Sequence, residues 1–177
     1  DFVELIREQS GILTETGHQL FGFMHLTFEE YLAARYLAGK RKVLEVIGEK
    51  LHNPNWREVI LLAAGSLEGE IADDFVQEIL KASSFYEDIL HRDLLLAGRC
   101  VADDVDILPK LRNEVVDRLV GLYIDTPYSK LREEVLRIFE SSQGSLGWER
   151  VKDTLMEKVK SESEDEQVKA IDAITHL

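Results

Sequence analysis

The 177 residues carry 34 acidic and 21 basic side chains, a net charge of −13, with 45% hydrophobic and 31% charged positions. That balance fits a folded chain and excludes a disordered one, and no apolar run reaches the roughly 20 residues that span a bilayer. A lone cysteine, Cys100, excludes an internal disulfide framework and suits a reducing compartment, with the cytoplasm as the expected location.

Residues 1–9 place Phe2, Leu5 and Ile6 on one side of a helix that Ser10-Gly11 ends. Ile12–Thr14 and Leu20–Met24 then read as two short strands around the loop Glu15–Gln19, with Gly17 available for positive φ. From Thr27 onward every signal is helical. Thr27 and Glu30 have the spacing of a capping box, and Gly39 is placed to end that helix. The next helix is expected over 41–51, with Val43, Leu44, Val46, Ile47 and Leu51 inward. Asn53-Pro54 or Asn55 caps a helix through Trp56–Ala64. Further helices are expected near 70–82, 87–102, 106–123, 129–142, 147–160 and 165–176. The last of these keeps Ile171, Ile174 and Leu177 apolar and lacks an evident stacking partner.

The second members of successive helix pairs resemble one another. Arg57-Glu-Val-Ile-Leu-Leu-Ala-Ala-Gly65 aligns with Arg92-Asp-Leu-Leu-Leu-Ala-Gly98, an offset of 35 (92 − 57). Arg132–Phe139 and Glu166–Ile174 repeat the pattern further on. A helix-pair period of about 35–45 residues is the mark of an α-solenoid. The expected fold is therefore mostly α, a HEAT-like α-solenoid of helix pairs with a short N-terminal β-hairpin.

Candidate chemistry is sparse. No Gly-x-x-x-x-Gly-Lys-Ser/Thr phosphate loop, His-Glu-x-x-His or cysteine pair occurs, and the five histidines show no metal spacing, so no catalytic or metal residue is expected. Cys100 lies on an apolar helix and is expected to be buried as a small hydrophobe. Asp73-Asp74 and Asp103-Asp-Val-Asp106 are expected to cap helix starts rather than bind cations. Arg57 and Arg92 are expected to form a ladder of inter-repeat hydrogen bonds in preference to a ligand-binding stripe. The charge is uneven: nine acidic and seven basic residues over 1–60, but 25 and 14 over 61–177. A grip on nucleic-acid phosphates is thus not expected in the second part. The loop Thr14–Leu20 has no Lys or Arg, which argues equally against a DNA-reading wing.

The run Phe23-Met-His-Leu-Thr-Phe-Glu-Glu-Tyr-Leu-Ala-Ala34 follows the pattern aromatic, any, His, any, Thr/Ser, Phe, Gln/Glu, Glu, aromatic, two residues, Ala. It resembles the end of the winged-helix region in NACHT-type signalling NTPases of the STAND class, which includes NOD-like receptors. The Trp56–Leu67 helix is similar to the region that follows, so the resemblance takes in roughly residues 1–67 and is looser over the HEAT-like part. Gln is the family's commoner residue at the Glu29 position. The resemblance implies residues 1–40 as the C-terminal part of the winged-helix region and residues 41–177 as HEAT-like repeats, both cut from a longer chain whose nucleotide-binding domain lies upstream of Asp1. It further implies a signalling or defence switch: ADP keeps the parent closed, a protein or peptide ligand sensed by the repeats favours ATP, and the open form assembles into a homo-oligomer. His25 occupies the position of the family histidine that contacts the β-phosphate of ADP, a role an imidazole donor can fill. The bland role for His25 is a side chain that ends the strand and bonds to backbone beside Thr27. No cofactor is expected in this chain itself, and no enzymatic activity. A free-standing HEAT-repeat adaptor is the alternative, and an enzyme resembling bilin lyases a distant third.

Overall fold

The computed structural model describes residues 13–18, 20–39 and 43–177. The helix expected over 1–9 lies outside them. Two strands, β1 (Leu13–Gly17) and β2 (Leu20–Phe23), pair antiparallel with Leu13 opposite Phe23 and Thr14 opposite Gly22. Pairing continues to Gly17 opposite Leu20 across an irregularity after Glu15. The connection is thus tighter than the expected five residues, and Gly17 is a strand residue. The glycines with positive φ among the described residues are Gly69 and Gly144.

Ten α-helices follow among the described residues: α1 (Leu26–Ala38), α2 (Val43–Lys50), α3 (Arg57–Ala64), α4 (Gly69–Lys81), α5 (Glu87–Leu90), α6 (Arg92–Ala102), α7 (Pro109–Asp125), α8 (Ser129–Ser141), α9 (Trp148–Val159) and α10 (Glu164–His176). A single 3₁₀ turn, Pro54–Trp56, leads into α3. There the Asn53 side chain accepts from the Asn55 N–H at 3.0 Å, and Pro54 occupies the position where its absent N–H costs nothing. Among the described residues the chain is mostly helical with one small antiparallel sheet.

Three local expectations are corrected. The Thr27–Glu30 capping box does not form: α1 starts at Leu26 with His25 as N-cap and no side-chain cap bond. Thr27 therefore lies inside the first turn, out of position to serve its own orphan N–H groups. Gly39 does end α1, but at φ −74°, a conformation any residue adopts. The helix expected over 87–102 is broken at His91, which takes φ +48°. Glu87 reaches over that break and accepts from the Asp93 and Leu94 N–H groups at 2.8 and 3.2 Å, so α5 caps α6. Finally, α7 begins at Pro109 rather than near 106.

Helix packing runs between near neighbours in the chain. α1 packs on α3, α3 on α6 and α6 on α8, while α4 packs on α6, α7 on α8, and α9 on α10. α7 also meets α6, α9 and α10. Arg57, Arg92, Ser129 and Glu164 open α3, α6, α8 and α10 at intervals of 35, 37 and 35 residues (92 − 57, 129 − 92, 164 − 129). One core cluster extends through these contacts from Ala34 to Ala173. Phe75, Leu119 and Phe139 anchor it, each worth roughly 1.5–3 kcal/mol of burial. The closest approach is at Gly98 on α6. A Cβ there would sit 2.6 Å from a Leu119 methyl and 3.4 Å from one of Ile138, so a larger residue would have to push the packed Leu119 side chain aside as α6 nests between α7 and α8. In α10 the alanines Ala170 and Ala173 are buried, whereas Val168, Ile171 and Ile174 are exposed.

Candidate functional site

His25 stands at the junction of β2 and α1. Its backbone is extended, at φ −124° and ψ 130°, and its carbonyl accepts the Phe28 N–H at 3.1 Å. The ring is exposed, 6.4 Å from the Phe28 ring, and bonds to no described residue. The backbone-bonded role for its side chain is therefore not what this junction shows. Its chain neighbours Met24 and Leu26 are exposed apolar residues, as is Leu32 further along α1.

The polar groups that sequence reasoning singled out in the helical part serve contacts between successive elements. Asp73 does not start a helix: it lies inside α4, largely buried, and accepts from the Leu108 N–H at 2.8 Å, where α7 begins. Asp106, just before α7, in turn accepts from the Gly69 N–H at the start of α4, at 3.2 Å. The two carboxylates cap each other's helices, each complementing a positive helix end. Asp104 accepts from the Leu146 N–H at 2.7 Å, ahead of α9. Capping is thus the role, but across elements rather than within one. Among the described residues no group of three or more His, Cys, Asp or Glu side chains is arranged to hold a metal. Cys100 is fully buried, and burial, with the nearby Asp103 charge, pushes its thiol up to about 12. A thiol held protonated in this way is no nucleophile.

One cluster went unnoticed in the sequence. Asp93 is fully buried at the start of α6. It accepts from the Ser84 N–H at 2.9 Å, the Ser84 hydroxyl at 2.6 Å and His52 Nε2 at 2.5 Å. A Ser-His-Asp set invites comparison with a nucleophilic triad, and the geometry rejects it. Both Ser84 and Asp93 approach the same imidazole nitrogen, Nε2, and the hydroxyl proton goes to the carboxylate. A triad needs the acid on one ring nitrogen and the nucleophile on the other. The cluster is a clasp that ties the end of α2 and the α4–α5 loop to α6. No pattern in one sequence brings together residues 52, 84 and 93.

Two clefts lie along α3, α6 and α8. The first, of about 320 Å³, is lined by Arg57, Arg92 and Arg99 with Leu51, Pro54 and Leu95, and by no Asp or Glu. Arg92 Nη2 donates to the His52 carbonyl at 3.1 Å, which is the inter-element bond expected of it. Arg57 does not join that ladder; its guanidinium bonds to no described residue. The second cleft, about 420 Å³, shares Arg57 and Arg99 and adds Glu58, Asp103 and Glu134. There Arg99 and Arg137 pair with Glu134 at 3.0 and 2.6 Å. Partial desolvation, then the Glu58 charge, raise the Asp103 carboxyl above its ordinary value.

Residues 1–37 match the family described as the winged helix-turn-helix domain C-terminal to NACHT. The match supports a NACHT-associated protein, and the matched segment is its winged-helix part rather than the NTPase region. No curated protein and no solved structure matches the chain. No helix among the described residues is long and apolar enough to cross a membrane.

Proposed function

We propose that this chain is a non-catalytic regulatory and scaffold segment of a NACHT-type signalling NTPase. The single observation that carries the reading is the match of residues 1–37 to the winged-helix domain that follows NACHT. In this reading β1, β2 and α1 end the winged helix and meet the nucleotide-binding domain upstream in the parent. Residues 41–177 form a HEAT-like solenoid that senses a protein or peptide ligand. The near-constant 35–37-residue interval between α3, α6, α8 and α10 supports a repeat array, as does packing between sequential neighbours. Hydrogen bonds between groups 33–42 residues apart point the same way, among them Arg150 to Asp117, Asp73 to Leu108 and Asp104 to Leu146.

His25 is the nucleotide sensor of this scheme. Its exposed ring, without a partner among the described residues, is available to donate to a phosphate held by the upstream domain. The switch then follows: ADP, contacted through His25, holds the parent closed, and ligand on the repeats releases it toward ATP and self-association in the cytoplasm. Two measurements test this. The reading frame upstream of Asp1 should encode a phosphate loop, and a start codon immediately before Asp1 would instead leave a free-standing repeat adaptor. In the full-length parent, His25→Ala should speed ADP release by about tenfold, the loss of one charge-assisted hydrogen bond. Unchanged ADP release would remove His25 from the mechanism, and ATP hydrolysis by the 177-residue chain alone would overturn the reading as a whole.

A further inference from the structure

We infer that the cleft between the 3₁₀ turn, α3 and α6 binds a short acidic peptide segment of a protein partner, one carboxylate seated against Arg57 and Arg92. The inference rests on the reading of the helical part as the ligand-sensing surface and names where and what it senses.

The argument begins from charge. Acidic side chains outnumber basic ones 34 to 21 in this chain, yet this cleft is lined by three arginines and no carboxylate. Their charges are largely uncompensated. Arg57 has no hydrogen-bonding or ionic partner among the described residues, and Arg92 donates only to a neutral carbonyl. Arg99 alone is paired, with Glu134 on the far side of the wall it shares with the second cleft. Both unpaired arginines are exposed at the first turns of their helices, where the positive ends of α3 and α6 add to the field. Guanidinium groups recognise carboxylates through two parallel N–H···O bonds.

The surroundings narrow the ligand. Leu51, Pro54 and Leu95 add apolar lining to the cleft, which suits a peptide that places an apolar side chain beside its acid. Glu58, Asp103 and Glu134 border the adjoining cleft that shares Arg57 and Arg99, so an extended polyanion running into it would meet carboxylates. Together with the net charge of −13 this selects a single acidic residue over a nucleic-acid backbone. The clasp of His52 by Asp93 and Ser84 keeps the His52 carbonyl, and with it Arg92, in place before any ligand arrives.

The test is an NMR titration of the 177-residue chain, read on its arginine side-chain Nε–H signals. The probes are an end-capped octapeptide centred on Leu-Ala-Glu-Leu, its Leu-Ala-Gln-Leu counterpart, inorganic phosphate, and a single-stranded oligodeoxynucleotide. The acidic peptide is expected to move the Arg57 and Arg92 signals and to bind at least about tenfold more tightly than the amide peptide. Arg57→Ala should weaken it about tenfold and Arg57→Lys by less, since Lys keeps the charge but loses the two-point contact. Glu134→Gln, which frees Arg99, should tighten it. Arg57 is exposed, so circular dichroism of its variants should match the parent chain. No binding, equal binding of the two peptides, or equal displacement of the same signals by phosphate or oligonucleotide would overturn the assignment. None of those results would bear on the phosphate loop sought upstream of Asp1, so failure here and failure of the NACHT reading remain separable.

Discussion

Single residues show how this chain joins its helices. Tyr123 on α7 is 1% exposed, and its hydroxyl donates to Asp172 of α10 at 2.9 Å. Burial first, then the bond to Asp172 and that carboxylate's charge, push its phenol from 10.0 up to about 12. A folded-state value above the unfolded one means the contribution is fully present below pH 10 and is lost as pH rises through about 12. Tyr123→Phe should therefore cost about 1 kcal/mol near neutrality and flatten the alkaline decline. Urea midpoints on both sides of pH 10 check this; parallel slopes for the two proteins would show that Tyr123 does not titrate with unfolding. The ring itself stays packed in the variant, with Phe139 at 6.4 Å.

At the scale of elements, the ends of helices are held by groups from other elements. α6 illustrates this best, since its first residues follow the left-handed His91 and have no cap from their immediate N-terminal neighbour. Glu87 supplies both bonds instead, and so α5 exists less as a helix than as the arm that places that carboxylate. Glu87→Ala should destabilise the chain by about 1–2 kcal/mol. Hydrogen exchange would locate the loss at the Asp93 and Leu94 amides; unchanged protection there would assign the capping to water. The Asp73–Leu108 and Asp106–Gly69 bonds use the same device in both directions between α4 and α7.

For the whole molecule, packing between sequential neighbours has a consequence for stability. In the repeat array proposed above, each unit would draw support from the one before and the one after, so the middle would be best protected and the ends would open first. Fully buried residues concentrate in α4, α6 and α7, among them Phe75, Ala97, Val115 and Val120. In α10, by contrast, Ala170 and Ala173 are buried while Ile171 is half exposed. Native-state exchange should accordingly find the slowest amides in α6 and α7 and much faster ones in α10. Uniform protection along the chain would indicate a single cooperative core and remove the array.

What was readable from the sequence were the features set by local chemistry. Apolar periodicity placed the hairpin and most of the helices, Asn53-Pro54 marked the start of the α3 region, and an apolar flank predicted the burial of Cys100. The aromatic-His-Thr-Phe run pointed to the winged-helix match. These succeed because periodicity, caps and short motifs are properties of adjacent residues. The tertiary structure alone decided that Asp73 caps a helix from inside another, that His91 breaks a predicted helix, and that Thr27 and Glu30 form no box. It alone gathered His52, Ser84 and Asp93 into a clasp, and set Arg99 beside Arg57 and Arg92, which the 35-residue offset had already paired. Those arrangements join particular side chains on different helices, and while a repeat period shows in the sequence, which side chains meet across it is decided only when the helices have packed.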